Sequence, residues 1–202
     1  MFNRTEKFSE YIRLYPVITT LLALNIGIFI VTLIPGFGQD LKYAGMGING
    51  MIAAGEWWRF ITPMFLHADF MHILFNMFCL FVFAPELEKF LGKMRFITLY
   101  FLSGLFANIA TYFIHDYDFA HLGASGAIFG LFGAYGALIY YTKNQLPQLR
   151  QIILPIIVVS VVMTFVQSNI NVTGHLIGLL VGFLIGLSYF HPKRIVSWRP
   201  PK

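Results

Sequence analysis

Gly123-Ala124-Ser125-Gly126-Ala127-Ile128-Phe129-Gly130 sets a serine between glycines where a loop free of Lys and Arg runs into an apolar segment that continues to about residue 142. A hydroxyl at such a junction can serve as a nucleophile. A second glycine row, Gly174, Gly178 and Gly182, lies in the last apolar segment beside His175. Small residues four apart let two membrane helices pack backbone to backbone. If these two helices touch, a serine and an imidazole meet inside a bilayer, which is the minimum equipment for nucleophilic hydrolysis.

The rest of the chain supports a membrane setting. Its 202 residues are 57% hydrophobic and 11% charged, with mean hydropathy +0.71, beyond the apolar share of a soluble domain. Apolar runs of about the ~20 residues that a spanning helix requires fall at about 17–34, 68–85, 94–114, 124–142, 150–167 and 173–190. The fold expected is all-α, one six-helix integral-membrane domain over 1–202 with nothing soluble appended and a retained first helix in place of a cleaved signal. The connection over about 35–67 is aromatic, with Glu56-Trp57-Trp58-Arg59-Phe60, and is expected to lie partly in the interface. Pro155 is a candidate bend in the fifth helix.

Net charge is +5, and its distribution matters more than its size. Arg4, Lys7, Arg13, Lys89, Lys93, Arg95, Lys143, Arg150, Lys193, Arg194, Arg199 and Lys202 fall on one side of the expected topology, and only Lys42 and Arg59 on the other. The positive-inside rule then puts both termini in the cytoplasm. The basic surplus is topological and suited to anionic lipid rather than to nucleic acid. The single Cys79 excludes an intrachain disulfide, and no His-Glu-x-x-His metal motif occurs, so neither metal nor cofactor is expected.

Polar groups deep in lipid need a partner or a function. His72 and Asn76 are four apart and share a helix face. With Ser125 and His175 they are expected at one depth, in the external half of the bundle. Ser125 can attack and His175 can take and return its proton. The Ser125 amide, His72 and Asn76 can stabilise the tetrahedral oxyanion. Every Asp and Glu lies in a loop or at a helix end, Asp69, Asp116 and Asp118 being nearest. A Ser-His dyad is therefore expected, with His175 oriented by packing rather than by a buried carboxylate. His67, His115, His121 and His191 are expected to be helix-packing hydrogen bonders.

These residues resemble the rhomboid proteases over nearly the whole chain. The family's Gly-x-Ser-Gly element is similar to Gly123-Ala124-Ser125-Gly126, its His-x-x-x-Asn element to His72 through Asn76, its last-helix histidine with glycines to His175, Gly178 and Gly182, and its Trp-Arg pair to Trp58-Arg59. The resemblance implies a six-helix core with Ser125 at the top of a short fourth helix in a water-filled cavity. It implies Ser125 as nucleophile, His175 as base, His72 and Asn76 as oxyanion donors, and Trp58 and Arg59 as structural parts of the first loop. Substrates would be single-span membrane proteins cut near the external interface of the cell membrane. Phe129 stands where relatives often have Tyr, which keeps stacking under the histidine and loses a hydroxyl; Gly174 stands where they often have Ala. An inactive rhomboid-like binder of membrane clients would typically lose Ser125 or His175. A small transporter would leave Gly-Ala-Ser-Gly at a helix start without a reason.

Overall fold

The structure, a computed structural model, describes residues 5–142, 145–167 and 170–192. Helix α1 (Phe8–Leu14) meets α2 (Pro16–Thr32) at 110°. Pro16 suits the first turn of α2, where a backbone N–H would have no helical partner. The next amides, of Val17 and Ile18, donate to the two Glu88 carboxylate oxygens at 3.1 and 3.0 Å. A helix leaves these first N–H groups unpaired, and its positive end favours an anion. Glu88 lies near the end of α5 (Phe70–Leu91), so one carboxylate locks the start of the first long helix to the end of the second.

That contact explains a departure from the expected second span at 68–85. Helix α5 runs through Pro85 to Leu91, and the Phe81 carbonyl, left by the proline without its helical donor, accepts from the Tyr11 hydroxyl at 3.3 Å. Its last turns also turn Leu87, Glu88 and Leu91 inward. Between α2 and α5 the connection folds into α3 (Phe37–Gly45), β1 (Gly47–Ile48), α4 (Asn49–Ala53) and two 3-10 turns, Trp57–Phe60 and Thr62–Phe65. Then come α6 (Lys93–Ile114), β2 (Ala120–His121), α7 (Ser125–Thr142), α8 (Pro147–Val166) and α9 (Val172–Tyr189). Arg4, Lys143, Lys193, Arg194, Arg199 and Lys202, counted in the charge asymmetry, lie outside the described residues.

Each of the six expected spans corresponds to a helix. Among the described residues α5, α6, α8 and α9 are individually long and apolar enough to cross a membrane, and the bent pair α1 with α2 makes a fifth. Helix α7 is diluted by glycine and tyrosine because it faces protein instead of lipid: Ala127 through Tyr135 are all buried. It forms the centre of the bundle, in extensive contact with α9 and α6.

The α7–α9 contact is built from glycine. A Cβ on Gly178 would strike the Gly126 carbonyl oxygen, one on Gly182 the Gly130 carbonyl oxygen, and one on Gly186 would lie 3.0 Å from the Ala134 Cα. The two small-residue rows thus pair in a constant register along both helices. Lipid tails are as apolar as leucine, so burial alone does not hold membrane helices together; close backbone packing does. Helix α8 is the loosest span, with Pro155 inside it and Leu149, Ile153 and Thr164 its buried residues.

Candidate active site

Ser125 is the first residue of α7, and the chain enters it through Gly123 at φ +130°, a conformation that L side chains rarely adopt. The first connection braces this turn. Gly123 donates its N–H to the Pro63 carbonyl at 2.8 Å, and β1 pairs antiparallel with β2, Gly47 opposite His121 and Ile48 opposite Ala120. The Asn49 amide donates to the His115 and Asp116 carbonyls at 3.1 and 2.9 Å, and Asn108 of α6 donates to the Phe60 carbonyl at 2.8 Å. Arg59 holds the connection itself in shape. Its side chain is 3% exposed, donates to the Tyr43 and Met46 carbonyls at 2.7 and 2.6 Å, and pairs with Glu56 at 2.6 Å. Trp58 donates to the Ala44 carbonyl at 3.2 Å, whereas Trp57 is 73% exposed, in keeping with an aromatic belt.

His175 sits in the first turn of α9, whose start is tied to α6. The Asn171 side chain accepts from the Gly174 N–H at 2.8 Å as an N-cap and donates to Thr111 Oγ1 at 2.8 Å. His115 Nε2 lies 2.9 Å from Thr173 Oγ1. With both starts fixed and the glycine rows in register, His175 Nε2 lies 2.8 Å from Ser125 Oγ. The imidazole is buried and stacks on Phe129, ring centroids 4.1 Å apart and planes at 15°. Phenylalanine therefore provides the stacking surface without a hydroxyl.

Packing is only part of what orients the ring. Thr164 Oγ1, from α8, lies 2.9 Å from His175 Nδ1, a polar partner absent from the sequence reading. One signal was available: Leu149, Ile153, Ser160 and Thr164 fall on one helical stripe.

His72 and Asn76 occupy the first two turns of α5. A Cβ on Gly123 would meet His72 Nε2 at 2.7 Å and Ser125 Oγ at 3.6 Å, so the imidazole edge and the hydroxyl border the same small space. The Asn76 amide donates to the His72 carbonyl at 2.7 Å, and its buried Oδ1 has no hydrogen-bond partner among the described residues. No hydrogen bond among the described residues joins Asn76 to Ser125 or His175. Asp69 caps α5 by accepting from the His72 N–H at 2.9 Å.

The remaining histidines divide. His115 is a hydrogen bonder, as expected, and His191 packs edge-on against Tyr141. His67 and His121 are not: both are buried with neither ring nitrogen hydrogen-bonded among the described residues. Burial pushes the His67 imidazole down to about 3, helped by nearby His72 and opposed by Asp69. Burial, then nearby His115, takes His121 down to about 4. Both rings are thus neutral packing groups in the loops around the site.

Comparison with known proteins agrees with this architecture. The rhomboid domain matches residues 54–192. The Bacillus subtilis (strain 168) protein named "Putative rhomboid protease YdcA" is 46% identical over 173 residues, 85% of this chain and 87% of its own length. Rhomboid protease GluP of the same organism is 37% identical over 140 residues, 67% of this chain but 27% of GluP. Rhomboid protease AarA of Providencia stuartii is 28% identical over 143 residues, 61% of this chain and 50% of its own length. The extent of the domain match and the near full-length similarity to YdcA establish that this multi-pass, almost wholly helical membrane protein belongs to the rhomboid family.

Proposed function

We propose that the chain, as one integral-membrane unit, is an intramembrane serine endopeptidase in which Ser125 and His175 form the catalytic dyad. The observation that carries this reading is the 2.8 Å contact between Ser125 Oγ and His175 Nε2. As Oγ attacks the scissile carbonyl carbon, its proton passes to Nε2 and the carbonyl π electrons move to oxygen. Collapse of the tetrahedral intermediate breaks the C–N bond, and Nε2–H protonates the leaving amine. Water then attacks the acyl-enzyme, gives a proton to the same nitrogen, and Ser125 is regenerated.

The oxyanion needs donors. The Ser125 N–H stands at a helix start, where amides lack intrahelical acceptors, and His72 Nε2 borders the same space. Asn76 fits as a second side-chain donor, one turn further along α5, by rotating away from the His72 carbonyl when substrate binds. His72→Ala and Asn76→Ala are expected to lower kcat by about 10²–10³ each while KM changes little, less if water replaces the lost donor. Steady-state cleavage of a purified single-span substrate measures both; unchanged kcat in the double variant places the oxyanion elsewhere.

Substrates are membrane proteins with one transmembrane helix, cut where that helix is readily unwound, since an intact helix hides its peptide bonds. Annular lipid covers the exposed apolar faces, such as Phe75, Phe78, Val158 and Val162. The reaction needs no metal or cofactor. In the cell membrane, the asymmetry of Lys and Arg favours cytoplasmic termini and a site opening to the external side. A cysteine placed at Asp118 in a Cys79→Ser background should react with a membrane-impermeant thiol reagent on intact cells. Reaction only after the membrane is opened would invert the orientation.

A further inference from the structure

The geometry points to Thr164 as a positioning residue that sets the tautomer of His175, which rests on the reading of Ser125 and His175 as the dyad. Thr164 is 2% exposed, on a helix whose other buried residues, Leu149 and Ile153, lie at its opposite end. Helix α8 therefore turns a single buried polar group toward the site from its C-terminal half.

The hydrogen count along the chain of contacts leaves one arrangement that satisfies all of it. Thr164 Oγ1 lies 2.9 Å from the Ser160 carbonyl one turn back, and a carbonyl only accepts, so the Thr164 O–H donates there. The Oγ1 lone pairs then face His175 Nδ1 at 2.9 Å, and this contact is satisfied when Nδ1 carries the imidazole proton. That leaves Nε2 unprotonated, 2.8 Å from Ser125 Oγ, as acceptor for the serine O–H. Three hydrogens fill three contacts. With the proton on Nε2, the Thr164 hydroxyl would have to donate to Nδ1 and abandon Ser160, and the Ser125 O–H would lose its acceptor. The productive tautomer is therefore the one that Thr164 selects, the role that a buried carboxylate plays in a Ser-His-Asp triad. A hydroxyl held by the backbone does this without placing a charge in the membrane. It also means that the base is aligned by three helices: α9 carries the ring, α7 stacks Phe129 against it, and α8 fixes its far nitrogen.

Thr164→Val keeps the shape and removes the hydroxyl; Thr164→Ser keeps the hydroxyl and removes the methyl. With a purified single-span substrate, Thr164→Val should lower kcat roughly 10- to 100-fold with KM nearly unchanged, and Thr164→Ser should recover most of it. A kcat for Thr164→Val within about twofold of the parent would overturn the assignment, as would equal loss in both variants or a change confined to KM. Nitrogen-15 NMR of labelled histidine in the parent needs no folded variant at position 164. At mildly alkaline pH, where imidazole is neutral, the signals missing from His175→Ala should report a protonated Nδ1 and a bare Nε2; the opposite tautomer contradicts the role of Thr164. Cleavage by Ser125→Ala would instead sink the dyad itself, so the two failures are distinguishable.

Discussion

Ser125→Ala and His175→Ala each lower cleavage of a single-span substrate by roughly 10⁴-fold or more, and the double variant is no worse than either, because nucleophile and base act as one unit. Neither partner can do the other's work: the hydroxyl is a weak nucleophile without a base, and the imidazole has nothing to activate without the hydroxyl. Both variants should remain folded, since Ser125 Oγ and His175 Nε2 bond mainly to each other, while the α7–α9 contact rests on glycine backbones. Thermal unfolding in detergent, run beside the cleavage assay, separates lost chemistry from lost structure. Substantial activity in either single variant would remove the dyad.

The second large effect comes from a residue that touches no substrate. A Cβ on Gly178 meets the Gly126 carbonyl oxygen, one residue after Ser125, so Gly178→Ala already forces the two helices apart and Gly178→Leu does so further. A shift of about 1 Å between nucleophile and base costs on the order of 10² in rate. Both substitutions should therefore lower kcat, the leucine more than the alanine. Gly27 of α2 is the control, because a Cβ there meets nothing within 4 Å. Gly27→Leu should leave activity near the parent's, and full activity in Gly178→Leu would mean that the glycine register does not set the distance between Ser125 and His175.

How much of this could be read from the chain follows from what each feature depends on. The spans were legible to within a few residues because bilayer thickness fixes their length. The end of α5 was not, because Pro85 looks like a stop until Glu88 is seen holding the start of α2. Helix α1 was missed as a separate element: its seven residues carry Glu10 and Arg13, and only Tyr11 is buried. Ser125 and His175 stood out because glycines flank them at one depth, a purely local pattern. Thr164 could not stand out in the same way. A threonine in an apolar helix ordinarily bonds its own backbone, and only the packing of α8 reveals that its oxygen also faces an imidazole. The folding of the connection over 35–67 was hidden for a similar reason, since its order comes from Arg59 reaching back to the Tyr43 and Met46 carbonyls within it and from Asn49 reaching the His115 carbonyl far along the chain. His67 and His121 reversed the expectation of hydrogen bonding because both rings are enclosed with neither nitrogen partnered among the described residues.

The dyad is tested most directly by treating the purified protein with a serine-directed mechanism-based inhibitor and locating the adduct by mass spectrometry. The mechanism predicts a single adduct on Ser125, absent from Ser125→Ala, strongly slowed in His175→Ala and unaffected by chelators. An adduct on another residue, or labelling of Ser125 at the parent rate without His175, would contradict it.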